Sequence, residues 1–399
     1  MELVSAASRS KFRLFSFFDN HKFEGMLTDI YKKNIAELYK TPIVQQTAFW
    51  SMVKNRLGTN TLAVNFKSSS SNLYHNAGSD SVIDSDLLVL VQQINDSDCI
   101  AYVPYGPELE PDFEYQGKFL EELSESIRSF LPLNCIMVRY DLCWESYWAN
   151  SDNYFDSYGN WLGEPEVFAQ EIRFNCNTFN RNFRKPSTNI LPTNTIYLDL
   201  KPSIQSILGN MKPKTRYNIN LSHKKGVTVR RADISNIDVW YKLYTETANR
   251  NRIFLNDMKY FEALLTAKAD NTNSPAEVIL LIAELDSVPL AAMFLIISGK
   301  RGSYLYGASS NYNRNYMANY ALQWEAMQIA KQKGCLEYDM FGIAPNPNPS
   351  HPLHGLYKFK IGFGGNIYHS LGCWDYPFIE EKYDSFRNLE MVSQGYHID

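Results

Sequence analysis

The sequence lacks several features that mark common classes of protein. Its six cysteines are scattered, without a C-x-x-C pair or a nearby histidine cluster, so neither a disulfide framework nor a zinc site is expected. No apolar run is long enough to span a bilayer, and residues 1–23 lack the apolar stretch and cleavage site of a signal peptide. We therefore expect a cytoplasmic protein with buried free thiols, no bound metal and no stable membrane insertion, and we leave peripheral association with the inner membrane open.

An excess of positive charge is also missing. The net charge is −4, so a nucleic acid or another polyanion would have to meet a local basic patch. One such patch lies between Gly209 and Gly226, where five cations fall within fourteen residues: Lys212, Lys214, Arg216, Lys224 and Lys225. Lys214 and Arg216 lie near a predicted helix start, where backbone N–H groups favour anions. The segment is either an anion site for a diphosphate or an RNA backbone, or a solvated basic helix face.

Periodicity predicts two similar series of elements. The predicted strands are Leu87–Gln93, Ile100–Tyr105, Cys135–Asp141, Glu277–Glu284, Leu290–Ile297, Ser303–Gly307 and Cys335–Phe341, and the predicted helices are Lys118–Phe130 and Met317–Lys333. Gly106 and Gly307 are 201 residues apart, and Cys135 and Cys335 are 200 apart, which indicates a duplicated unit. The order of hairpin strands, helix and strand resembles the N-acyltransferase fold. The predicted fold class is therefore α/β (α+β), with two tandem N-acyltransferase-like (GNAT-like) domains of mixed sheets flanked by helices.

The remaining segments set the predicted domain boundaries. Lys67–Asp86 is rich in Ser, Asn and Asp and is predicted to be a loop, and Trp144–Asn194 is predicted to be a connection with a short strand at Val167–Phe174. The C-terminal segment Asn366–Asp399 is expected to return to the first sheet. The first domain is therefore predicted to comprise residues 1–195 plus 366–399, and the second residues 196–365. The sequence contains no long charged segment with a heptad repeat, so no coiled-coil arm is predicted.

Two shorter segments suggest binding. His354–Gly365 (HGLYKFKIGFGG) holds two lysines and four glycines, and is typical of an anion site or of a tight turn into a strand. In Pro42–Lys54, helical spacing places Trp50 and Lys54 on one face, an arrangement also found when a core tryptophan precedes a surface lysine.

In their order along the chain, these motifs resemble the Fem peptidyltransferase family of the FemA, FemB and FemX type. The resemblance runs from QQTAFWSMVK through YVPYGPEL, KPKTRYNINLSHKKGV and PLAAMFLI to YLYGASS, CLEYDMFGI and HGLYKFKIGFGG. It implies transfer of an amino acid (Gly, Ala or Ser) from aminoacyl-tRNA, a co-substrate rather than a cofactor, to the stem peptide of a peptidoglycan precursor. The partners implied are aminoacyl-tRNA and UDP-MurNAc-pentapeptide or a lipid-linked peptidoglycan precursor. Because the sequence has no arm-sized insertion, it resembles the family members that lack the coiled-coil arm and use soluble precursors.

The resemblance also implies site residues. Lys54 and Arg216 match the basic residues that hold the uridine diphosphate, and Tyr306 matches a position that contacts the precursor. Phe359 and Lys360 match the pair beside the reacting carbonyl, which makes Lys360 an electrostatic stabiliser. Trp50, Tyr105 and Lys214 are further candidate substrate-binding residues.

The expected chemistry needs no protein nucleophile, because the ester of an aminoacyl-tRNA is already activated. The sequence accordingly has no G-x-S-x-G elbow. Asp339 is a candidate catalytic residue, either as a general base or as a carboxylate that holds the amine. His351 and His354 are other candidate bases.

The sequence is also compatible with two other functions. The first is an acyl-CoA N-acyltransferase, although Ser309–Asn315, the turn before the second helix, has no glycine to cradle a pyrophosphate. The second is a non-catalytic module that binds nucleotide-linked precursors.

Overall fold

A computed structural model describes residues 25–392. Within them the strands are β1 (Leu27–Lys33), β2 (Asn60–Ser69), β3 (Val82–Gln93), β4 (Cys99–Pro104), β5 (Cys135–Glu145), β6 (Asn194–Asp199), β7 (Thr228–Ala232), β8 (Ala276–Leu285), β9 (Val288–Ser298), β10 (Arg301–Ser309), β11 (Glu337–Asp339) and β12 (Asn366–Pro377). Residues 1–23, for which the absence of a signal peptide was predicted, lie outside this range, as do the last seven residues of the predicted first domain.

The α-helices connect these strands and cover the sheet. In the described part of the chain they are α1 (Ala48–Arg56), α2 (Ser70–Leu73), α3 (Gln116–Arg128), α4 (Val167–Phe174), α5 (Ile204–Asn210), α6 (Pro213–Lys224), α7 (Ile237–Asn251), α8 (Met258–Thr266), α9 (Ala318–Gln332), α10 (His354–Lys360) and α11 (Glu380–Val392). None of these helices is both long enough and apolar enough to cross a bilayer.

One mixed sheet contains all the described strands. Its order is β1-β2-β3-β4-β5-β12-β6-β11-β10-β9-β8-β7. Strand β12 lies in the middle, antiparallel to β5 on one side and to β6 on the other. The predicted return of the C-terminal segment to the first sheet is therefore confirmed for β12. Because β12 joins both halves, the domain boundaries themselves stay a prediction.

The two halves repeat one arrangement, which confirms the predicted fold class. In the first half the antiparallel pair β3–β4 is followed by α3 and then by β5, which lies parallel to β4. In the second half the antiparallel pair β9–β10 is followed by α9 and then by β11, which lies parallel to β10. Helix α9 ends before Gly334, whose φ of +82° is the left-handed conformation that glycine supplies at helix ends.

The second half buries both faces of its sheet. Successive side chains of a strand point to opposite faces, so Leu281 and Ala283 of β8 pack in one core, whereas Leu280 and Ile282 pack in the other. Helices α5, α6 and α9 contribute to the first core, and α1, α7 and α8 contribute to the second. Burying a Leu or Ile side chain stabilises the fold by about 1.5–3 kcal/mol, so these two layers hold the site's elements in place.

The loop predicted at Lys67–Asp86 is wrong over most of its length. Strand β2 continues to Ser69, α2 follows directly, and β3 begins at Val82. Polar side chains bond across the two strands here, since the Asn65 amide donates to Asp84 and Asp86. These bonds join two acidic residues of β3 to a buried amide of β2, so the polar composition does not prevent strand pairing.

The strand predicted at Val167–Phe174 is also wrong, because this segment is helix α4. Gln170 and Phe174, four residues apart, are buried on one face, while Phe168 and Ile172, also four apart, are exposed on the other. This is helical periodicity, which the density of β-branched and aromatic residues masks.

The glycine-rich segment is more regular than expected. It forms α10 and then a 3-10 helix at Ile361–Phe363, whereas one of the two interpretations of the sequence was a tight turn into a strand. Only its last two glycines, Gly364 and Gly365, take positive φ values, of 87° and 90°, and they lead the chain into β12. The predicted free thiols are present, but Cys176 is exposed rather than buried.

Candidate functional site

A cleft of about 1440 Å³ is lined by residues from both halves of the protein. Its walls come from α1, α7 and α8 on one side, from the start of α9 and from α10 on the other, and from β10 and residues 188–194. Sites for one small ligand usually measure about 300–1,000 Å³, so this cleft has room for parts of two substrates.

Lys360 lies at the end of α10 and reaches the cleft from a buried position. Its side chain is 3% exposed, and its Nζ donates to the backbone carbonyls of Phe341 at 2.9 Å and Gly342 at 2.8 Å. Burial lowers the pKa of Lys360 to about 7, although the charge of Asp339 opposes this shift. The group therefore exchanges its proton near neutral pH.

The geometry of Lys360 leaves capacity for a further partner. An ammonium has three N–H donors, and two of them are used by the carbonyls. The Tyr304 ring lies 5.0 Å from Nζ and lines the same cleft. A third N–H donor, held in position by the other two, can stabilise negative charge that develops on a substrate oxygen.

Phe359 precedes this lysine on α10 and lines the cleft as well. Its ring packs edge-on against Tyr320, with centroids 5.0 Å apart, and against Phe363 at 5.2 Å. These contacts fix the end of α10 and so hold the backbone that carries Lys360.

Asp339, at the end of β11, supports Lys360 from behind. Its Oδ1 accepts hydrogen bonds from the Thr195 hydroxyl and from the Phe341 N–H at 2.8 Å, and burial raises its pKa. Phe341 has a φ of 57°, a conformation that is uncommon for a bulky residue and that this bond helps to hold. Since the Phe341 carbonyl accepts from Lys360, the carboxylate positions the lysine's partner.

Asp339 and Tyr105 do not line the cleft. Both line a cavity of about 30 Å³ that adjoins it. The Tyr105 hydroxyl donates to the Pro192 carbonyl at 2.6 Å. The structure thus places these two predicted site residues behind the cleft wall.

Lys54 stands in an aromatic wall on the opposite side. Its Nζ lies 5.3 Å from the Trp50 ring and 5.4 Å from the Tyr260 ring, and the Tyr306 hydroxyl donates to that of Tyr260 at 3.0 Å. Trp50, Lys54, Tyr260 and Tyr306 all line the cleft. Burial lowers the pKa of Lys54, and no carboxylate within residues 25–392 lies at ion-pair distance from it. A half-buried cation without a counter-ion favours an anionic ligand.

Arg216 and Lys214 are not part of the cleft lining. The Arg216 guanidinium donates to the Gly209 carbonyl at 3.0 Å and to that of Met211, at the end of α5. Lys214 is exposed on α6. The structure therefore does not bring Arg216 beside Lys54, and their shared role stays a prediction.

Of the two candidate histidines, His351 lines the cleft, and its Nδ1 accepts from the Leu353 N–H at 3.0 Å. His354 is not among the lining residues. Among the residues described, no three His, Cys, Asp or Glu side chains are placed to share a metal ion.

Three arginines that the sequence gave no reason to select also line the cleft: Arg250, Arg252 and Arg314. Arg250 donates to the Ser309 carbonyl at 3.1 Å and to the Asn311 side chain. Burial and the charge of Arg314 lower the pKa of Arg250. These residues come from α7 and from the loop before α9, so only the fold reveals that their charges converge.

Comparison with known proteins identifies the family and the fold. Residues 43–280 and 268–390 match the sequence model of the FemAB family. The chain is 24% identical, over 258 residues, to a lipid II:glycine glycyltransferase of Staphylococcus saprophyticus, and 22% identical, over 263 residues, to one of Staphylococcus aureus. Each match covers 50% of this chain and 62% of the relative, so the chain spans less than two thirds of their length. The crystal structure of FemX matches 90% of this chain and 100% of its own, with a TM-score of 0.66 and 16% identity, which shows a shared fold.

Proposed function

Because this chain belongs to the FemAB family, we propose that it transfers an aminoacyl group from aminoacyl-tRNA to an amine of the stem peptide of a peptidoglycan precursor. The names of the curated relatives favour glycine as the group transferred. The observation that carries the proposal is the buried ammonium of Lys360, with two N–H donors held by carbonyls and one left for a substrate.

The reaction follows from that arrangement. The neutral acceptor amine attacks the ester carbonyl carbon, a C–N bond forms, and negative charge collects on the carbonyl oxygen. Lys360 donates its third N–H to that oxygen, and one well-placed donor of this kind is worth about 2.7–4 kcal/mol of barrier. The bond to the ribose oxygen then breaks, and the proton lost by the amine ends on that oxygen. Atoms balance without a protein nucleophile or an added base.

The aromatic wall would hold the acceptor. Trp50, Tyr260 and Tyr306 offer faces for a nucleotide base or a sugar, and Lys54 offers charge to a diphosphate. Lys54 and Lys360 line the same cleft, so an acceptor anchored at one would direct its peptide toward the other.

Two observations point to different classes of acceptor. Between Lys225 and Phe261 the described chain forms only β7, a 3-10 turn and helices α7 and α8, without an arm, which favours a soluble precursor under the resemblance noted above. The curated relatives are named for lipid II, which favours a lipid-linked precursor. Both carry a diphosphate, so the site we assign to Lys54 serves either. Peripheral association with the membrane stays a prediction.

Labelled transfer tests this function. The protein is incubated with glycyl-, alanyl- or seryl-tRNA, or with acetyl-CoA, each carrying a radiolabelled acyl group, and with soluble or lipid-linked precursor. We expect label in the precursor from at least one charged tRNA and none from acetyl-CoA. Label from acetyl-CoA alone would favour an acyl-CoA enzyme, and tight precursor binding without transfer from any donor would favour a binding module.

A further inference from the structure

The residues around α6 carry a concentration of positive charge that the proposed reaction centre does not use. The sequence from Lys201 to Ala232 contains no Asp or Glu, in a chain with 43 acidic and 39 basic residues. It contains eight cations: Lys201, Lys212, Lys214, Arg216, Lys224, Lys225, Arg230 and Arg231. Such a bias within an acidic protein indicates a local surface for a polyanion.

Helix α6 presents part of this charge to solvent. Its inner face buries Thr215, Asn218, Ile219 and Ser222. Its outer face exposes, at helical spacing, Lys214, Tyr217 and Lys224, with Lys212 exposed at its start. The Tyr217 side chain is 63% exposed. We call these four residues (Lys212, Lys214, Tyr217 and Lys224) the basic face.

Ion pairs do not neutralise the basic face. Glu284, on the strand that pairs with β7, bonds to Arg230 at 3.0 Å. In the described part of the chain, no carboxylate lies at ion-pair distance from the three lysines of the basic face.

The basic face is continuous with the cleft. At the end of α6, the Lys225 Nζ donates to the Asn315 carbonyl at 2.8 Å and lies 5.1 Å from the Tyr316 ring. The same short loop carries Arg314, which lines the cleft. At its start, α6 is tied to the lysine-bearing segment, because the Lys212 N–H donates to the Gly362 carbonyl at 2.9 Å.

We propose that the basic face binds the double-stranded acceptor arm of the tRNA, and that the single-stranded 3′ end passes Arg314 into the cleft. This inference rests on the proposed function and names the surface that holds its donor. Lys214 and Lys224 are ten residues apart, or about 15 Å along the helix, which exceeds the reach of one diphosphate. A nucleic-acid duplex offers phosphates at close intervals over that length.

A membrane surface fits the basic face less well than RNA does. A helix that lies in a membrane interface inserts an apolar face, whereas the apolar residues of α6 pack inside the protein. The exposed aromatic ring, Tyr217, can stack on a base or sugar of RNA.

The test is a pair of double variants in the full chain. Lys214→Gln with Lys224→Gln removes two charges from the basic face. Lys242→Gln with Lys268→Gln removes two exposed lysines, one within α7 and one just after α8, on the opposite face of the sheet. Binding of an uncharged tRNA is followed by fluorescence anisotropy between about 50 and about 200 mM salt, where phosphate contacts weaken.

Each phosphate contact contributes about 0.9 to the magnitude of the slope of log affinity against log salt concentration, so this slope should be shallower by about 1.8 in the basic-face variant. The ratio of wild-type to variant affinity for tRNA should then shrink about tenfold over this salt range. The control should keep the wild-type slope. In transfer assays the KM for charged tRNA should rise in the basic-face variant more than kcat falls, with precursor affinity unchanged and thermal unfolding unaltered.

The possible failures are distinguishable. Wild-type protein that binds no tRNA would overturn both this inference and the tRNA donor of the proposed function. Wild-type protein that binds tRNA with a slope equal to that of the basic-face variant would overturn the inference and leave the proposed function standing. Loss of binding to anionic phospholipid vesicles in the variant, with unchanged tRNA binding, would assign the basic face to a membrane and overturn the inference.

Discussion

Replacing Lys360 by methionine tests the part assigned to its third N–H. The substitution keeps an unbranched chain of similar length in the buried site and removes all three donors. Losing one donor aimed at a developing oxyanion should reduce kcat about 10²–10³-fold. The acceptor is held elsewhere, by the wall around Lys54, so its Kd should change little.

The same substitution should leave the protein folded. Two hydrogen bonds from the ammonium to the Phe341 and Gly342 carbonyls are lost, at about 1.5–3 kcal/mol each. Removing a cation whose pKa is lowered by burial offsets part of this cost. Thermal unfolding measures the balance, and Lys358→Met, an exposed neighbour on the same helix, is the matched control. A Lys360→Met protein that is folded and retains full kcat would refute the reasoning.

The pH dependence supplies a second readout of the same prediction. The pKa of Lys360 is about 7, far below its usual range, so the ammonium loses its proton as the pH rises through neutrality. The ratio of wild-type kcat to Lys360→Met kcat should therefore fall about tenfold between pH 6 and pH 8. Taking the ratio cancels the titration of the acceptor amine. A ratio that rises over this interval would mean that neutral Lys360 acts as a base.

Three further predictions concern residues around this lysine. Asp339→Asn keeps an oxygen that can accept from the Phe341 N–H but removes the negative charge that raises the pKa of Lys360. The midpoint of the profile of kcat against pH should therefore move to lower pH. An unchanged midpoint would contradict the electrostatic coupling between Asp339 and Lys360. Lys54→Gln should raise the Kd for the precursor, with less effect at high salt, whereas salt-independent loss would argue against a charged ligand. Arg216→Gln should lower the free energy of unfolding by about 1–3 kcal/mol through the loss of its two carbonyl bonds, and, under the predicted diphosphate role, should weaken precursor binding; unchanged precursor binding would leave Arg216 with the structural role alone.

Much of the fold was predictable because several of its strands have a clear apolar pattern. β8 and β9 are dominated by apolar residues, and the turn between them holds Asp286 and Ser287 at positive φ, as tight hairpins require. The duplication was predictable from two pairs of residues with nearly equal spacing, 201 and 200 positions. Edge strand β1 was not predicted, since none of its residues is fully buried, its burial pattern does not alternate, and it depends on β2 for its hydrogen bonds.

Spacing along the sequence brings candidate site residues together only where they share a helix. Trp50 and Lys54 lie four apart on α1, and Phe359 adjoins Lys360 on α10, so sequence spacing brings each pair together. The hydrogen-bond partners of Lys360 could not be predicted from sequence spacing. Its carbonyl acceptors lie 18 and 19 residues away, and its low pKa arises from tertiary burial.

Arg216 illustrates the opposite case. Its motif resembles the family closely, yet its guanidinium satisfies carbonyls at the end of α5, and the neighbouring helix face points to solvent. The arginines that do line the cleft, Arg250 and Arg314, are 64 positions apart, and only the packing of α7 beside the loop before α9 brings them together.

The mass of the acceptor product tests the central claim most directly. Wild-type protein and the Lys360→Met variant are each mixed with charged tRNA and a peptidoglycan precursor for a single turnover, and the precursor is analysed by mass spectrometry with fragmentation. We predict that the wild type adds one aminoacyl residue to a side-chain amine of the stem peptide, and that the variant forms this product about 10²–10³ times more slowly. An unchanged precursor mass with every charged tRNA, or equal rates for the two proteins, would contradict the account.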